Sequence, residues 1–437
     1  MNLHKRWGRT RIAAVVVAAS VASAGSLNAR SEPPVVIGVK ERASANASIV
    51  TSGAFVGLVW AARSKDGVVD IYAATSRDGG RSFRAPVRVN QNAGEASVSG
   101  EQPPRIGLIT NRAADPSIVV MWTAKGQAGT RLVSARSNDA GRSFAPATSV
   151  PGSDASGNRG WESLAVRSNG EPIAVWLDHR DMAARPPSTT AGTAHQHGAT
   201  MQHQTDGAAA AQLSQIFFAR LNDPASAHAI ASSVCYCCKT SVAAAADGNI
   251  VAAWRHVYPG NIRDIAFTKS PDGGRTFAPP VRVSDDHWVL DGCPENGPAV
   301  ALDHTSAIHI VWPTLVRDSA GVESLALFYA TSGDGQRFTK RQQIPTEGIP
   351  RHPQIAISPT GRITVAWDEQ FKGARRVVLA RGTVDGSHPI RFARESVTEE
   401  AGTYPVVASL PDGALVAWTS GSTDDSVLRV ARYPESK

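Results

Sequence analysis

Sulfur is scarce in this chain of 437 residues, which holds four cysteines and four methionines. So few thiols exclude a scaffold built on disulfides. Several catalytic signatures are missing altogether. There is no Gly-x-Ser-x-Gly elbow, no phosphate-binding glycine loop and no His-Glu-x-x-His, which removes the common serine-hydrolase, nucleotide-hydrolase and zinc-peptidase designs. Without a Cys-x-x-Cys-His, covalent haem attachment is excluded as well. Long apolar runs are also lacking. The best of them, Ile12 to Gly25, is too short for a membrane helix. It follows Lys5, Arg6, Arg9 and Arg11 and precedes small residues at Ala22-Ser-Ala24 and Leu27-Asn-Ala29. That order reads as a secretory signal peptide over residues 1–29, with residues 30–437 as a single exported domain, periplasmic or secreted. Taking those four cations from the formal +7 leaves +3, so the charge balance points to no nucleic-acid partner.

What the chain has in quantity is glycine, proline and repetition. One short turn recurs as Ser76-Arg-Asp78-Gly-Gly80-Arg-Ser-Phe83, Ser137-Asn-Asp139-Ala-Gly141-Arg-Ser-Phe144 and Ser270-Pro-Asp272-Gly-Gly274-Arg-Thr-Phe277, then one residue shorter as Ser332-Gly-Asp334-Gly-Gln-Arg-Phe338. The Asp of such a turn accepts hydrogen bonds from its own backbone, the glycine supplies a positive φ and the aromatic ring tucks under a neighbouring strand. Asp78, Asp139, Asp272 and Asp334 are therefore structural.

A second repeat covers nearly the whole chain. An alternating apolar strand, a tight Gly or Asp-Gly turn and a second strand ending in Trp recur up to Trp60, Trp122, Trp176, Trp254, Trp312, Trp367 and Trp418, at spacings of 62, 54, 78, 58, 55 and 51 residues. Each hairpin is followed by a third strand, a turn and a fourth strand, and four strands per unit make a propeller blade. The expected fold is all-β, a β-propeller of seven four-stranded antiparallel blades, with six as the alternative. The last unit stops after its third strand, Val427 to Arg432, whereas Pro34 to Lys40 is a strand without a hairpin. That N-terminal strand is expected to complete the last blade and so close the ring.

The turn S-x-D-x-G-x-x-F resembles the Asp box, or BNR repeat, of the sialidase-like β-propellers. The resemblance implies the architecture more than an activity, since Asp-box propellers include lectin-like and non-catalytic proteins. Sialidases form six-bladed rings and grip a substrate carboxylate with three arginines, the first in an Arg-Ile-Pro motif. They pair a Tyr nucleophile with a Glu and use an Asp as acid/base. Here no such motif precedes Ser76; Pro104-Arg105-Ile106-Gly107 is a partial likeness, and Tyr404 stands where the tyrosine would. Arg105, Arg255 and Arg351 all enter the same mouth of the ring.

Strand direction sorts the unusual residues. Loops leading into inner strands lie on one face and the Asp turns on the other. Cys235-Tyr-Cys237-Cys238 leads into unit four, and His287-Trp288 and Cys293 lead into unit five, so all four cysteines converge on one mouth. Arg255, His256, His287 and Trp288 stand there as candidate ligand-binding residues. In an exported protein the sulfurs pair as disulfides, with Cys293 clamping one of the other three across the blades. Otherwise leftover thiols form a soft-metal or redox site for copper or zinc. Unit three carries an insertion at about 179–212 on the same face, with His195, His197, Met201 and His203 as further metal donors. The expectation is an exported monomeric binding protein with a cysteine-rich site at one mouth, more a binder than an enzyme. An exo-α-sialidase-type hydrolase is the alternative, and a protein-interaction scaffold the third.

Overall fold

The computed structural model describes residues 33–111, 114–183, 207–384, 389–397 and 401–435. The leader 1–29 and the donors His195, His197, Met201 and His203 lie outside them. Seven four-stranded antiparallel sheets stand in a ring, a seven-bladed β-propeller. Named inner strand first, blade one is Arg42–Ser52, Phe55–Ser64, Val69–Ser76 and Val87–Arg88. Blade two is Arg105–Asn111, Ala114–Gly126, Gly129–Ser137 and Thr148–Ser149. Blade three is Arg159–Val166, Pro172–Asp178, Gln215–Arg220 and His228–Ser232. Blade four is Ser241–Ala244, Ile250–Arg255, Ile265–Ser270 and Val281–Arg282. Blade five is Ala299–Leu302, Ile308–Arg317, Glu323–Ser332 and Gln342–Ile344. Blade six is Ile349–Ile357, Arg362–Phe371, Ala374–Thr383 and Ala393–Ser396. Blade seven takes Gly402–Leu410, Gly413–Ser422 and Asp425–Pro434 from the C-terminal end, and its outer strand is Val35–Ile37, paired antiparallel with Leu428–Val430. The N-terminal strand therefore closes the ring as expected.

The second strand of every blade is covered on both faces by neighbouring blades, so it reads as a continuous apolar run rather than an alternating one. Ile250–Arg255 and Pro172–Asp178 are buried at every residue. Among the described residues seven apolar clusters fill the seven gaps between blades. Each gap holds one of the repeated tryptophans, turned toward the preceding blade and fully buried; Trp60 packs on blade seven and Trp254 on blade three.

The Asp turns cap third strands at the end of the ring away from the inner-strand starts. In the first, the Ser82 N–H donates to Asp78 Oδ1 at 2.9 Å and the Gly80 N–H to Ser76 Oγ at 2.9 Å. The hydroxyl and N–H of Thr276 hold the Asp272 carboxyl well below the usual range. The last glycine of the turn is also a packing position. At Gly80, φ is +85° and an added Cβ would lie 2.9 Å from the Leu415 methyls of blade seven. At Gly53, φ is +57° with nothing within 4 Å.

These two glycines separate backbone strain from blade contact. Gly53→Ala should cost about 1 kcal/mol, the left-handed penalty alone. Gly80→Ala should cost roughly 2–4 kcal/mol, because overpacking against Leu415 adds to it. Urea midpoints of the two variants check this, and equal losses would refute the contact.

Candidate functional site

The inner strands converge on the axis, and four of them are broken by a bulge at one height. The register slips between Ala45 and Ser48, Gly160 and Ser163, Arg351 and Gln354, and Thr403 and Val406. In each case the second-strand Trp stands opposite the slip. The inserted residues Asn46, Trp161, His352 and Tyr404 have φ of 59°, 53°, 52° and 51°. A bulge re-aims a side chain out of the ladder. Here it points the chain into the mouth. His352 and Tyr404 are each followed by proline, whose missing N–H leaves no ladder donor unpaired.

A pocket of about 300 Å³, counting the solvent at its opening, lies on the axis at this height, with Asn46, Glu101, Arg105, Lys239, His352 and Tyr404 in its wall. Its charges are buried: Glu101, Lys239 and His352 are 6%, 4% and 6% exposed. Asp368 organises them. It accepts from His352 Nδ1 at 2.7 Å and from the Tyr404 N–H at 3.3 Å, and it pairs with Arg375. Burial pushes its carboxyl up, yet His352 and Arg375 outweigh that and hold it below the usual range. With the Nδ1 proton of His352 donated to Asp368, Nε2 faces Glu101 Oε1 at 3.4 Å. Burial raises the Glu101 carboxyl, which stands in line with the His352 ring and Asp368. The Tyr404 ring lies 4.2 Å from the His352 ring and fills the space that a Cβ at Gly100 would need. Lys239 Nζ donates to Pro353 O at 2.9 Å, and burial pulls its pKa down to about 8. Such a set can transfer a proton and hold an anion.

Sulfur forms the adjoining wall. Cys237 and Cys293 are a disulfide with Cα atoms 6.1 Å apart, tying the loop that leads into blade four to the one that leads into blade five. Cys235 and Cys238 are free thiols, both buried. Their sulfurs are 3.3 Å apart, and Cys235 Sγ is 3.8 Å from Cys237 Sγ. The fully buried Arg263 donates from Nη1 to Cys235 Sγ at 3.3 Å. Burial pushes the Cys235 thiol up, but the Cys238 S–H and the guanidiniums of Arg263 and Arg255 more than reverse it, to about 6. Cys238 is driven well above the usual range by burial and by the neighbouring sulfur. The pair is thus one thiolate holding one proton. The inserted segment of blade three returns to this wall, since Ala211, near its end, packs among Cys235, Cys237 and Cys238.

The other candidates are placed differently. Arg255 is fully buried and donates to the carbonyls of Asn296, Arg263 and Pro313 at 2.6–3.0 Å, under the ring of Trp288. It is a strut between blades four and five. His256 stacks edge-on with Tyr258, and burial, helped by Arg282, lowers it to about 4. His287 is exposed at a positive φ and donates its N–H to Asp264 at 3.2 Å. Of Arg105, Arg255 and Arg351, only Arg105 lines the axial pocket. Asp368-Glu369 reads from the sequence as a pair of solvated loop charges, but both are fully buried. Glu101, Lys239 and His352 were not singled out from the sequence, although a signal existed for two of them. Asn46, Trp161, Lys239, His352 and Tyr404 each stand 14 or 15 residues before a repeated Trp.

No protein-family model matches the chain, and no curated protein matches it. Solved structures do match in fold. An ulvan lyase, a polysaccharide lyase, superposes with TM-score 0.52 at 11% identity, over 93% of this chain and 96% of that one. An α-L-arabinofuranosidase of Fusarium graminearum gives TM-score 0.51 at 10% identity over 92% and 98%. A Dyadobacter fermentans protein of unknown function gives TM-score 0.50 at 11% identity over 93% and 99%. At such identities the likeness is one of fold.

One buried histidine beside the mouth makes stability depend on pH. His179 packs 5.5 Å from Trp161, and burial holds it down to about 4. Unfolded, it titrates near 6.5. Between pH 6.5 and 4 the unfolded chain therefore binds the extra proton, and stability falls as pH falls through that window, by at most roughly 3 kcal/mol from this group. His179→Gln should flatten the fall of Tm between pH 7 and pH 5, and an unchanged slope would remove His179 as its source.

Proposed function

We propose that this is an exported propeller-fold binding protein whose working end is the cysteine-lined mouth, and that Cys235 and Cys238 take one soft metal ion, copper(I) or zinc. One observation carries the reading: the sulfurs of Cys235, Cys237 and Cys238 all lie within 4.8 Å of one another in a buried site. Cys237 is engaged with Cys293, which leaves the dithiol as donors. Thiolates select soft ions. Tetrahedral zinc with bonds of about 2.3 Å would place two sulfurs roughly 3.8 Å apart, so the 3.3 Å pair needs to open by only about half an ångström. Ala211 packs against this wall, and His195, His197, Met201 and His203 precede it in the chain as proposed further donors. Among the described residues no helix is long and apolar enough to cross a membrane.

Metal analysis of protein purified from the export compartment tests this. About one equivalent of copper or zinc should be bound, and it should be lost in Cys235→Ser and in Cys238→Ser. No stoichiometric metal under either reducing or non-reducing conditions would end the reading.

A second reading, a sialidase-type glycosidase, draws on the axial pocket, where Tyr404 and Glu101 share one wall. A tyrosine paired with a glutamate is what the sialidase resemblance implies, and the fold neighbours include a glycosidase and a polysaccharide lyase. Release of a fluorophore from an aryl sialoside, reduced at least a hundredfold in Tyr404→Phe, supports it; no release by the unaltered protein rejects it.

A further inference from the structure

The four sulfurs form an unbroken series of neighbours from the surface to the interior, the inner three gathered within 4.8 Å of one another. Cys293 is half-buried, its bonded partner Cys237 is 7% exposed, and Cys235 and Cys238 are each 1% exposed. Along that series Cys237 is bonded to Cys293, Cys235 Sγ is 3.8 Å from Cys237 Sγ, and Cys238 Sγ is 3.3 Å from Cys235 Sγ. We propose that this series is a thiol–disulfide exchange relay, which moves one disulfide between the inter-blade position Cys237–Cys293 and the buried position Cys235–Cys238. The inference goes beyond metal binding and rests only on the sulfur positions.

The chemistry balances without an outside reagent. Cys235 sulfur, held as the attacking group beside the Arg263 guanidinium, forms a bond to Cys237 Sγ; the Cys237–Cys293 bond breaks, and Cys293 leaves with the electron pair. Cys238 then attacks Cys235 Sγ and gives its proton to the Cys293 thiolate, while Cys237 leaves as the new thiolate. One disulfide is consumed and one is made, with the same number of protons before and after. The leaving sulfur is the half-exposed one, so each exchange presents a thiol at the mouth. The exchange also releases the tie between two blades. The freed loop, Cys293 to Gly297, carries the Asn296 carbonyl that receives two bonds from Arg255, and its Gly297 lies against the backbone oxygen of Lys239 in the pocket wall. Disulfide position and pocket shape are thereby linked.

Native-state alkylation tests the relay on chelator-washed, folded protein. Iodoacetamide should accumulate on Cys293 of the unaltered protein, with peptide mapping showing a Cys235–Cys238 disulfide in the labelled molecules. Labelling should fall at least tenfold in Cys235→Ser, which lacks the attacking sulfur. Cys238→Ser should still label at Cys293 but stop at a Cys235–Cys237 bond. Circular dichroism confirms that each variant is folded, and in Cys235→Ser a retained Cys237–Cys293 disulfide confirms it as well. If Cys293 of the unaltered protein stays unlabelled while Cys235 and Cys238 appear as thiols only after denaturation, the disulfide is static and the relay is wrong. Two intact disulfides with no free thiol overturn it equally. Neither result bears on metal stoichiometry, which is read separately.

Discussion

Each blade is a sheet buried on both faces, and its stability is borrowed from its neighbours on either side. The second strands carry this. They are apolar at nearly every position, and each delivers one tryptophan into the gap before its own blade. Burying 150–250 Å² of indole at about 25 cal/mol per Å² contributes roughly 4–6 kcal/mol per gap. Such a stack gains nothing at an open end, so the last gap must be filled too. The ring therefore has to close. Val35–Ile37 does that on the outer edge of blade seven, placing Ile37 in the cluster shared with blade one. Seven gaps of equal thickness fix the radius of the ring, and the radius fixes what fits on the axis.

The inner strand of blade four, Ser241–Ala244, carries mostly small side chains. The mouth differs because bulges interrupt the inner strands at the height of the tryptophans. A strand that bulges there can stop presenting small residues and present His352 or Tyr404 instead. Charge then enters a poorly solvated space, which is costly unless it is paired. The pocket and its surround solve this with three carboxylates, Glu101, Glu162 and Asp368, set against three cations, Arg105, Lys239 and Arg375.

The ring was legible in the sequence because its determinants are local and repeated. The Trp spacing reported the gaps, the Asp turns reported the third strands, and a spare strand at the N-terminal end with one missing from the last unit reported the closure. The sulfur wall was legible for the same reason. Chain direction alone places the loops before blades four and five on one rim, and Cys237 does bond Cys293 there. The axial charges were not legible from residue types. Glu101, Lys239, His352 and Asp368 come from blades two, four and six or the loops leading into them, and none sits in a pattern of its own. Lys239 and His352 share a register against a tryptophan, and that register acquires meaning only once the bulge is seen. Arg255 shows the converse limit. Topology delivered it to the mouth, but its guanidinium is consumed by three carbonyls, a fate set by packing between two blades.

The two parts of the mouth are not independent, since Cys238 and Lys239 are adjacent in the chain and face different environments. Cys238 turns into the sulfur cluster, while Lys239 turns into the axial pocket and reaches across to the Pro353 carbonyl of blade six. A bond formed or broken at Cys238 pulls on the backbone that positions Lys239 Nζ. Lys239 in turn counters Glu101, whose burial already disfavours the charged form. Moving the ammonium by even an ångström shifts the balance between a protonated and an ionised Glu101, because Coulomb energies in poorly solvated surroundings change steeply with distance. The sulfur cluster and the charged pocket are therefore joined through a single peptide unit. A propeller with its cysteines on any other pair of loops would lack that link.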